Sequence, residues 1–313
     1  MSTVNFNKIN SVFKYGYLGV DIFFIISGFV ISLSIKHNSL RKFIAFRFTR
    51  LYPIYWVAVF LTFLITLIFG APRYSADFNQ FVINLTMFQN YLGIKSIDGV
   101  YWSLFVEMKF YIFIICTFLM INKIKLIKLD YLITFWLFLS ILYLIFSDFY
   151  IFKVLNYLLI LDCSSYFISG IIFYKIFARG VKQKDYILLF ICLFISIYHG
   201  VGRINYLEEH YNTYFYPYVI CSTTILFYFL MYIVAIGNLK SLNSPKLLKL
   251  GLLTYPLYLI HQNIGFIIFN NLNGYINKYI LLTATIILMI FISYMLSNYY
   301  ERKVSSYLNE KIK

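Results

Sequence analysis

Nine runs of roughly twenty mostly apolar residues, separated by short polar connections, leave this chain few folds to choose from. They cover approximately residues 17–36, 51–70, 101–121, 131–147, 154–177, 186–200, 214–236, 250–271 and 278–300. A helical run of that length rises about 30 Å, the thickness of a bilayer's hydrocarbon core. Composition removes the soluble alternative. Of 313 residues 61% are hydrophobic, 22% aromatic and only 12% charged, and the mean hydropathy is +0.77, so there is too little polar material to cover a globule. The expectation is an all-α, polytopic transmembrane helical bundle of about nine spans, a single integral-membrane domain over residues 1–313. The stretch 79–92 is too short and too polar for a tenth span and reads as interfacial or re-entrant.

A formal net charge of +15 would suit nucleic acid if it formed one basic face. Instead the lysines and arginines collect in alternate connections: five in 36–50, three in 123–128, four in 175–184, three in 240–249 and four after residue 301. The connections between them hold two or fewer. This positive-inside pattern predicts a multi-pass protein of the inner (plasma) membrane with its C-terminus in the cytoplasm and no nucleic-acid partner. Nine spans would then put the N-terminus outside, although the polar leader with Asn5, Lys8, Asn10 and Lys14 has no signal-peptide pattern. A further helix upstream would remove the conflict. Cys116, Cys163, Cys192 and Cys221 have no metal-ligand spacing and read as packing residues; no metal site is expected.

Four segments carry polar residues where lipid disfavours them. In 100–111, Glu107 sits at the head of an apolar run, and a charged carboxylate at the centre of a span costs about 2.5–3.5 kcal/mol on insertion scales. Ser103, Glu107 and Tyr111 recur every four residues and form one polar stripe on a helix of Leu, Phe, Val and Ile; Lys109 points about 160° away, to snorkel or to pair elsewhere. In 15–29, Asp21 lies about one turn inside the first span, on nearly the same stripe as Gly28, which allows another helix to approach closely. Asp21 reads either as a helix cap on a packing seam or as an acid lining a polar cavity. In 47–53, Arg47 and Arg50 share a face if the segment is helical, and Pro53 suits the first turn of the following helix. Two guanidiniums on one face can hold phosphates bidentately; topology anchoring would also place arginines there. In 252–262, His261 lies about 16 Å into its span, near the midplane, beside Gln262 and Asn263; a lone buried histidine is more often structural than a base. By depth these residues trace a polar path from Arg47 and Arg50 at the cytoplasmic mouth, past His261, to Asp21 and Glu107 in the outer half.

Four stretches together resemble the membrane acyltransferase-3 family: Gly-Tyr-Leu-Gly-Val-Asp-Ile-Phe-Phe-Ile-Ile-Ser-Gly-Phe (16–29), Arg-Phe-Thr-Arg-Leu-Tyr-Pro (47–53), Tyr-Trp-Ser-Leu-Phe-Val-Glu-Met-Lys-Phe-Tyr (101–111) and Thr-Tyr-Pro-Leu-Tyr-Leu-Ile-His-Gln (254–262). The resemblance implies ten transmembrane helices and O-acyl transfer of acetyl or similar groups. The donor would be cytoplasmic acyl-CoA, often acetyl-CoA, with no permanently bound cofactor, and the acceptor a hydroxyl of a cell-surface glycan or lipid-linked saccharide. By motif, Arg47 and Arg50 would engage the CoA phosphates. Asp21, Ser27 and Gly28 match the Gly-Val-Asp and Ser-Gly-Phe elements, Trp102, Ser103 and Glu107 match Trp-Ser-Leu-x-x-Glu, and Tyr258 and His261 match Tyr-Leu-Ile-His. Candidate catalytic residues are thus Glu107, Asp21, His261 and Ser103.

The family's opening helix carries Arg or Lys, ten residues and then the histidine of acyl transfer, and neither Lys8 nor Lys14 is followed by one at that spacing. His37, at a basic loop without such a partner, is a poor substitute. The chain therefore reads either as lacking one helix or as an inactive paralogue. In a complete enzyme a histidine base would take the acceptor's proton, with Glu107 or Asp21 holding the imidazolium, and His261 could donate to the developing oxyanion. The competing expectation is a transporter or flippase of a glycan precursor with Glu107 and Asp21 as coupling sites; paired broken spans in two related halves, its usual mark, are not visible in the sequence.

Overall fold

The computed structural model describes residues 6, 10–37, 39–124, 128–237 and 244–301. These form thirteen α-helices: α1 (Asn10–Phe13), α2 (Gly19–His37), α3 (Leu40–Phe69), α4 (Phe78–Asn84), α5 (Tyr101–Lys123), α6 (Leu129–Phe146), α7 (Tyr150–Leu159), α8 (Ser164–Arg179), α9 (Gln183–Gly202), α10 (Ile204–Tyr211), α11 (Pro217–Ala235), α12 (Pro245–Leu272) and α13 (Lys278–Met295). No strand forms among the described residues, and the chain is an all-α polytopic bundle. Among the described residues, eight helices are long and apolar enough to cross a bilayer. Large side chains stay uncovered on them, such as Phe190 on α9 at 73% exposure and Phe291 on α13 at 58%, as lipid-facing helix surfaces require.

The sequence expectation of one unbroken span over 154–177 is corrected. The run is two helices, α7 and α8, bent by 44° at a short break, and only as a pair do they make a ninth span. Ile160 takes a left-handed conformation there, φ 48°. Non-helical backbone at membrane depth survives only if its polar groups find partners, and here side chains supply them. Lys109 Nζ donates to Tyr157 O at 2.6 Å, Trp136 Nε1 to Leu159 O at 2.9 Å, and the Asp162 N–H reaches Asn156 Oδ1 at 3.0 Å. Lys109, 7% exposed, therefore does not snorkel: it closes the break and lies 4.1 Å from the Tyr157 ring centroid. Pro53 is also displaced from its expected place, because α3 starts at Leu40 and carries Pro53 in its interior. The stretch 79–92 forms only α4 and a single 3-10 turn, Gln89–Leu92.

The chain divides into two compact units. One contains Ile9–Leu40 and Val106–Ser241. Its centre is the α2–α8 pair, where Gly28 and Gly170 let the two backbones touch: a methyl added at Gly28 would run into the Phe167 carbonyl oxygen and stand 3.1 Å from Gly170 Cα. The close approach expected at Gly28 is thus realised. The Phe24 and Phe167 rings pack beside it, tilted by 30° with centroids 4.8 Å apart, and serine and tyrosine hydroxyls link the neighbouring helices. Ser165 Oγ lies 2.8 Å from Ser196 Oγ, and Tyr228 OH lies 2.9 Å from Ser196 Oγ. Small residues and interhelical hydrogen bonds are what can hold helices together where lipid removes the hydrophobic drive.

The other unit contains Arg41–Phe105 and the chain from Leu242 onward. There α3 presents Tyr55, whose hydroxyl donates to Asn84 O at 2.6 Å. Asn84 in turn pins the following loop: its Oδ1 accepts the Ile97 N–H at 3.0 Å and its Nδ2 donates to Lys95 O at 3.1 Å. This chain of contacts delivers Asp98 to the side of α12. Helix α5 starts in this unit and continues into the other.

Candidate functional site

Each unit gathers its share of the motif residues into a polar cluster. In the first unit Glu107 is 4% exposed and Ser27 6%. Tyr111 OH donates to Glu107 Oε1 at 2.5 Å, and Ser27 Oγ donates to the same oxygen at 3.1 Å from α2. The Glu107–Tyr111 contact realises the four-residue stripe. Ser27, at the head of the Ser-Gly-Phe element, joins the Gly-Val-Asp helix to the Trp-Ser-Leu-x-x-Glu helix.

Asp21 belongs to a second network on α2. It is 1% exposed, accepts from Tyr166 OH at 3.1 Å and pairs with Arg203 Nη1 at 3.4 Å. Tyr166 OH also lies 3.1 Å from Ser196 O. Asp21 and Ser27 stand six residues apart, about 9 Å along the helix, so the two acids are held by separate networks. Asp21 is buried against Tyr166 and Arg203 and does not line the neighbouring cavity. Its partner Arg203 lines a cavity of about 290 Å³ shared with Tyr143, Leu144, Ser147, Asp162, Tyr198, His199 and Gly202, although Asp21 itself stands behind that wall.

In the second unit the loop at Asp98–Val100 joins the other two motifs. Ser103 Oγ and Tyr258 OH are 2.7 Å apart, and Val100 O accepts from both, at 3.1 Å from Ser103 Oγ and 3.0 Å from Tyr258 OH. Asp98, fully buried, accepts the Val100 N–H on Oδ1 at 3.1 Å and the Asn263 N–H on Oδ2 at 3.0 Å. Asn263 Nδ2 donates to Ile97 O. Burial pushes the Asp98 carboxyl up to about 7 against the pull of its two backbone donors. His261 departs from its expected setting. Its side chain is exposed on α12, with Nδ1 2.8 Å from Tyr258 O, and it takes no part in the half-buried Ser103–Tyr258 contact. Arg47 and Arg50 lie on one helix three residues apart, as the spacing requires for a shared face. Arg50 is exposed, and Arg47 is half-buried with its guanidinium 5.6 Å from the Phe43 ring centroid.

The side chains of Lys8, of His37 and of the basic tail after residue 301 fall outside the described residues. Sequence reasoning missed Tyr166, Arg203, Asp162, His199 and Asp98. Arg203, Asp162 and His199 were visible as polar residues inside or at the edge of apolar runs, whereas a tyrosine in so aromatic a chain carries no such signal. Among the described residues no group of three or more His, Cys, Asp and Glu could hold a metal ion.

These clusters define a class: a multi-pass helical membrane protein whose acids are buried against hydroxyls and an arginine. The chain matches the family described as Acyltransferase domain, the acyltransferase-3 family, over residues 4–301, and it belongs to that family. It is also similar to ORF330 of Acidianus two-tailed virus, a protein that carries the name of an acetyltransferase, at 30% identity over 111 residues. That match covers 33% of this chain, which spans about 31% of the viral protein's length. No solved structure gives a significant match.

Proposed function

We propose that this protein is a membrane O-acyltransferase that moves an acetyl or similar short acyl group from acyl-CoA to a hydroxyl of a cell-surface glycan or lipid-linked saccharide. The observation that carries the reading is the family match over 4–301, to which the structure adds that its motif acids are buried and hydrogen-bonded. Transfer requires a base to take the acceptor hydroxyl proton as its oxygen bonds to the acyl carbon, cleavage of the thioester C–S bond, and return of that proton to the leaving thiolate. Glu107, held by Tyr111 and Ser27, is a positioning group for that chemistry. In this reading Ser103 with Tyr258 shapes the second polar cluster, and Arg47 and Arg50 engage the donor's phosphates. His261 keeps Nδ1 on Tyr258 O, so Nε2 is the nitrogen through which it would exchange a proton. The protein sits in the inner membrane with the basic connections and C-terminus on the cytoplasmic side.

The test is transfer of label from radioactive acetyl-CoA to saccharide in membranes containing the protein. Label in a base-labile saccharide ester is the expected result; no label overturns the proposal.

A further inference from the structure

Where α6 begins, α8 ends and α9 begins, five basic residues surround two acids, all within the first unit. Asp130 accepts from Lys175 Nζ at 2.5 Å and from Lys184 Nζ at 2.7 Å, so one carboxylate ties the three helix ends together. Asp185, 1% exposed, accepts Arg179 Nη1 at 3.1 Å, Arg179 Nη2 at 2.9 Å and the Lys182 N–H at 3.0 Å. Lys128 and Lys182 are exposed, and their side chains have no acidic partner among the described residues. Five cations against two carboxylates leave a net charge of +3, and Lys123 at the end of α5 has the same sign. Anchoring a topology needs only positive charge near the interface; it does not need that charge locked in place.

Between these helix ends lies a cleft of about 60 Å³ whose polarity changes with depth. Asp130, Lys175 and Lys184 line it nearest the helix termini, and Ile133, Ile172 and Leu188 line it three or four residues further into the same spans. That spacing keeps each pair on one helix face, so charge gives way to aliphatic surface within one turn on all three helices. Ile187 and Phe190 are exposed beside it on α9, as a lipid-facing surface requires. The cations are within reach of a ligand: the Lys175 and Lys184 side chains keep 17% and 54% of their surface open. Each ammonium has three donors, and Asp130 takes one from each.

A ligand that fits is anionic at one end and apolar just below it. We propose that this cleft seats the phosphate of an anionic phospholipid. Lys175 and Lys184 donate to its oxygens, Lys128 and Lys182 add attraction for its charge, and the first methylenes of an acyl chain lie over Ile133, Ile172 and Leu188. Charge selects the lipid, because a zwitterionic headgroup brings its own cation against the basic cluster and phosphatidylglycerol does not. Size argues against the other source of phosphate: the cleft is far below the roughly 300–1,000 Å³ of small-molecule sites and too small to seat the nucleotide of acyl-CoA. The assignment does not rest on the transfer reading.

The probes are phosphatidylglycerol, phosphatidylcholine and acetyl-CoA, titrated onto the detergent-solubilised full chain and counted by native mass spectrometry. The first phosphatidylglycerol should bind at least about tenfold more tightly than the first phosphatidylcholine. Lys182→Gln and Lys184→Gln should each weaken phosphatidylglycerol by about fivefold, the factor carried by one basic residue near an anionic surface, and leave phosphatidylcholine unchanged. Both lysines are exposed, so circular dichroism of the variants should match the parent. Lys249→Gln, exposed on α12 in the other unit, removes the same charge and should leave the first binding step unchanged. Equal affinity for the two lipids, or unchanged affinity in both cleft variants, overturns the proposal. An effect of Lys249→Gln as large as that of Lys184→Gln also overturns it, since the attraction is then diffuse. So does acetyl-CoA binding tighter than phosphatidylglycerol with the same dependence on Lys182 and Lys184.

Discussion

Gly28→Ala isolates the contact on which the first unit is built. In an exposed helix interior a Gly to Ala change is favourable by about 1 kcal/mol, because alanine loses less backbone freedom on folding. At Gly28 the added methyl meets the Phe167 carbonyl oxygen, the Phe167 carbonyl carbon at 3.0 Å and Gly170 Cα at 3.1 Å. All three are backbone atoms, so no rotamer change relieves the clash and α2 and α8 must separate. Overpacking of this kind costs about 1–3 kcal/mol, which should exceed the propensity gain and also stretch the Asp21–Tyr166 and Ser27–Glu107 contacts that the pair positions. Gly251, in the exposed part of α12 with nothing within 4 Å of an added Cβ, supplies the control for propensity alone. Unfolding in detergent followed by circular dichroism should rank Gly251→Ala at or above the parent, and Gly28→Ala and Gly170→Ala below it. Because the methyl at Gly170 would face Gly28 Cα at 2.9 Å, the double variant should cost less than the sum of the two singles. A Gly28→Ala protein as stable as Gly251→Ala would refute the packing on which the rest depends.

Glu107→Gln keeps an acceptor for Tyr111 and Ser27 but removes the acid, so it should abolish acyl transfer while insertion and monodispersity remain as in the parent; a fully active Gln variant would refute the assigned role. Asp98 should make stability depend on pH. Its folded value of about 7 lies above the ordinary 3.8, so the folded state holds the proton more tightly. Stability is then full below about pH 4 and declines as pH rises through 7, by roughly 4 kcal/mol at about 1.4 kcal/mol per unit. Asp98→Asn should flatten that decline, and an unchanged pH profile of unfolding would contradict it. Ser103→Ala and Tyr258→Phe should couple by about 0.5–1.5 kcal/mol in a double-mutant cycle of stability; strict additivity would mean that the 2.7 Å contact contributes nothing.

The membrane class and eight of the helices were legible because they rest on local properties: a run of twenty apolar residues must be helical in lipid, whatever it packs against. The Glu107–Tyr111 contact was legible for the same reason, being one turn of a single helix. The break between α7 and α8 was not, since Asp162, Ser164 and Ser165 stand inside a largely apolar run and no proline or glycine there marks a bend. Only the partners of the freed carbonyls, Lys109 and Trp136, make that break stable. His261 shows the opposite error: depth along the chain placed it at the midplane, but depth does not say which way a helix face turns.

Chemistry within one helical turn, and the order of motifs along the chain, were therefore settled by the residues alone. Pairings such as Asp21 with Arg203, 182 positions apart, were settled by tertiary packing, because a buried charge specifies that it needs a partner and not where in the chain that partner lies.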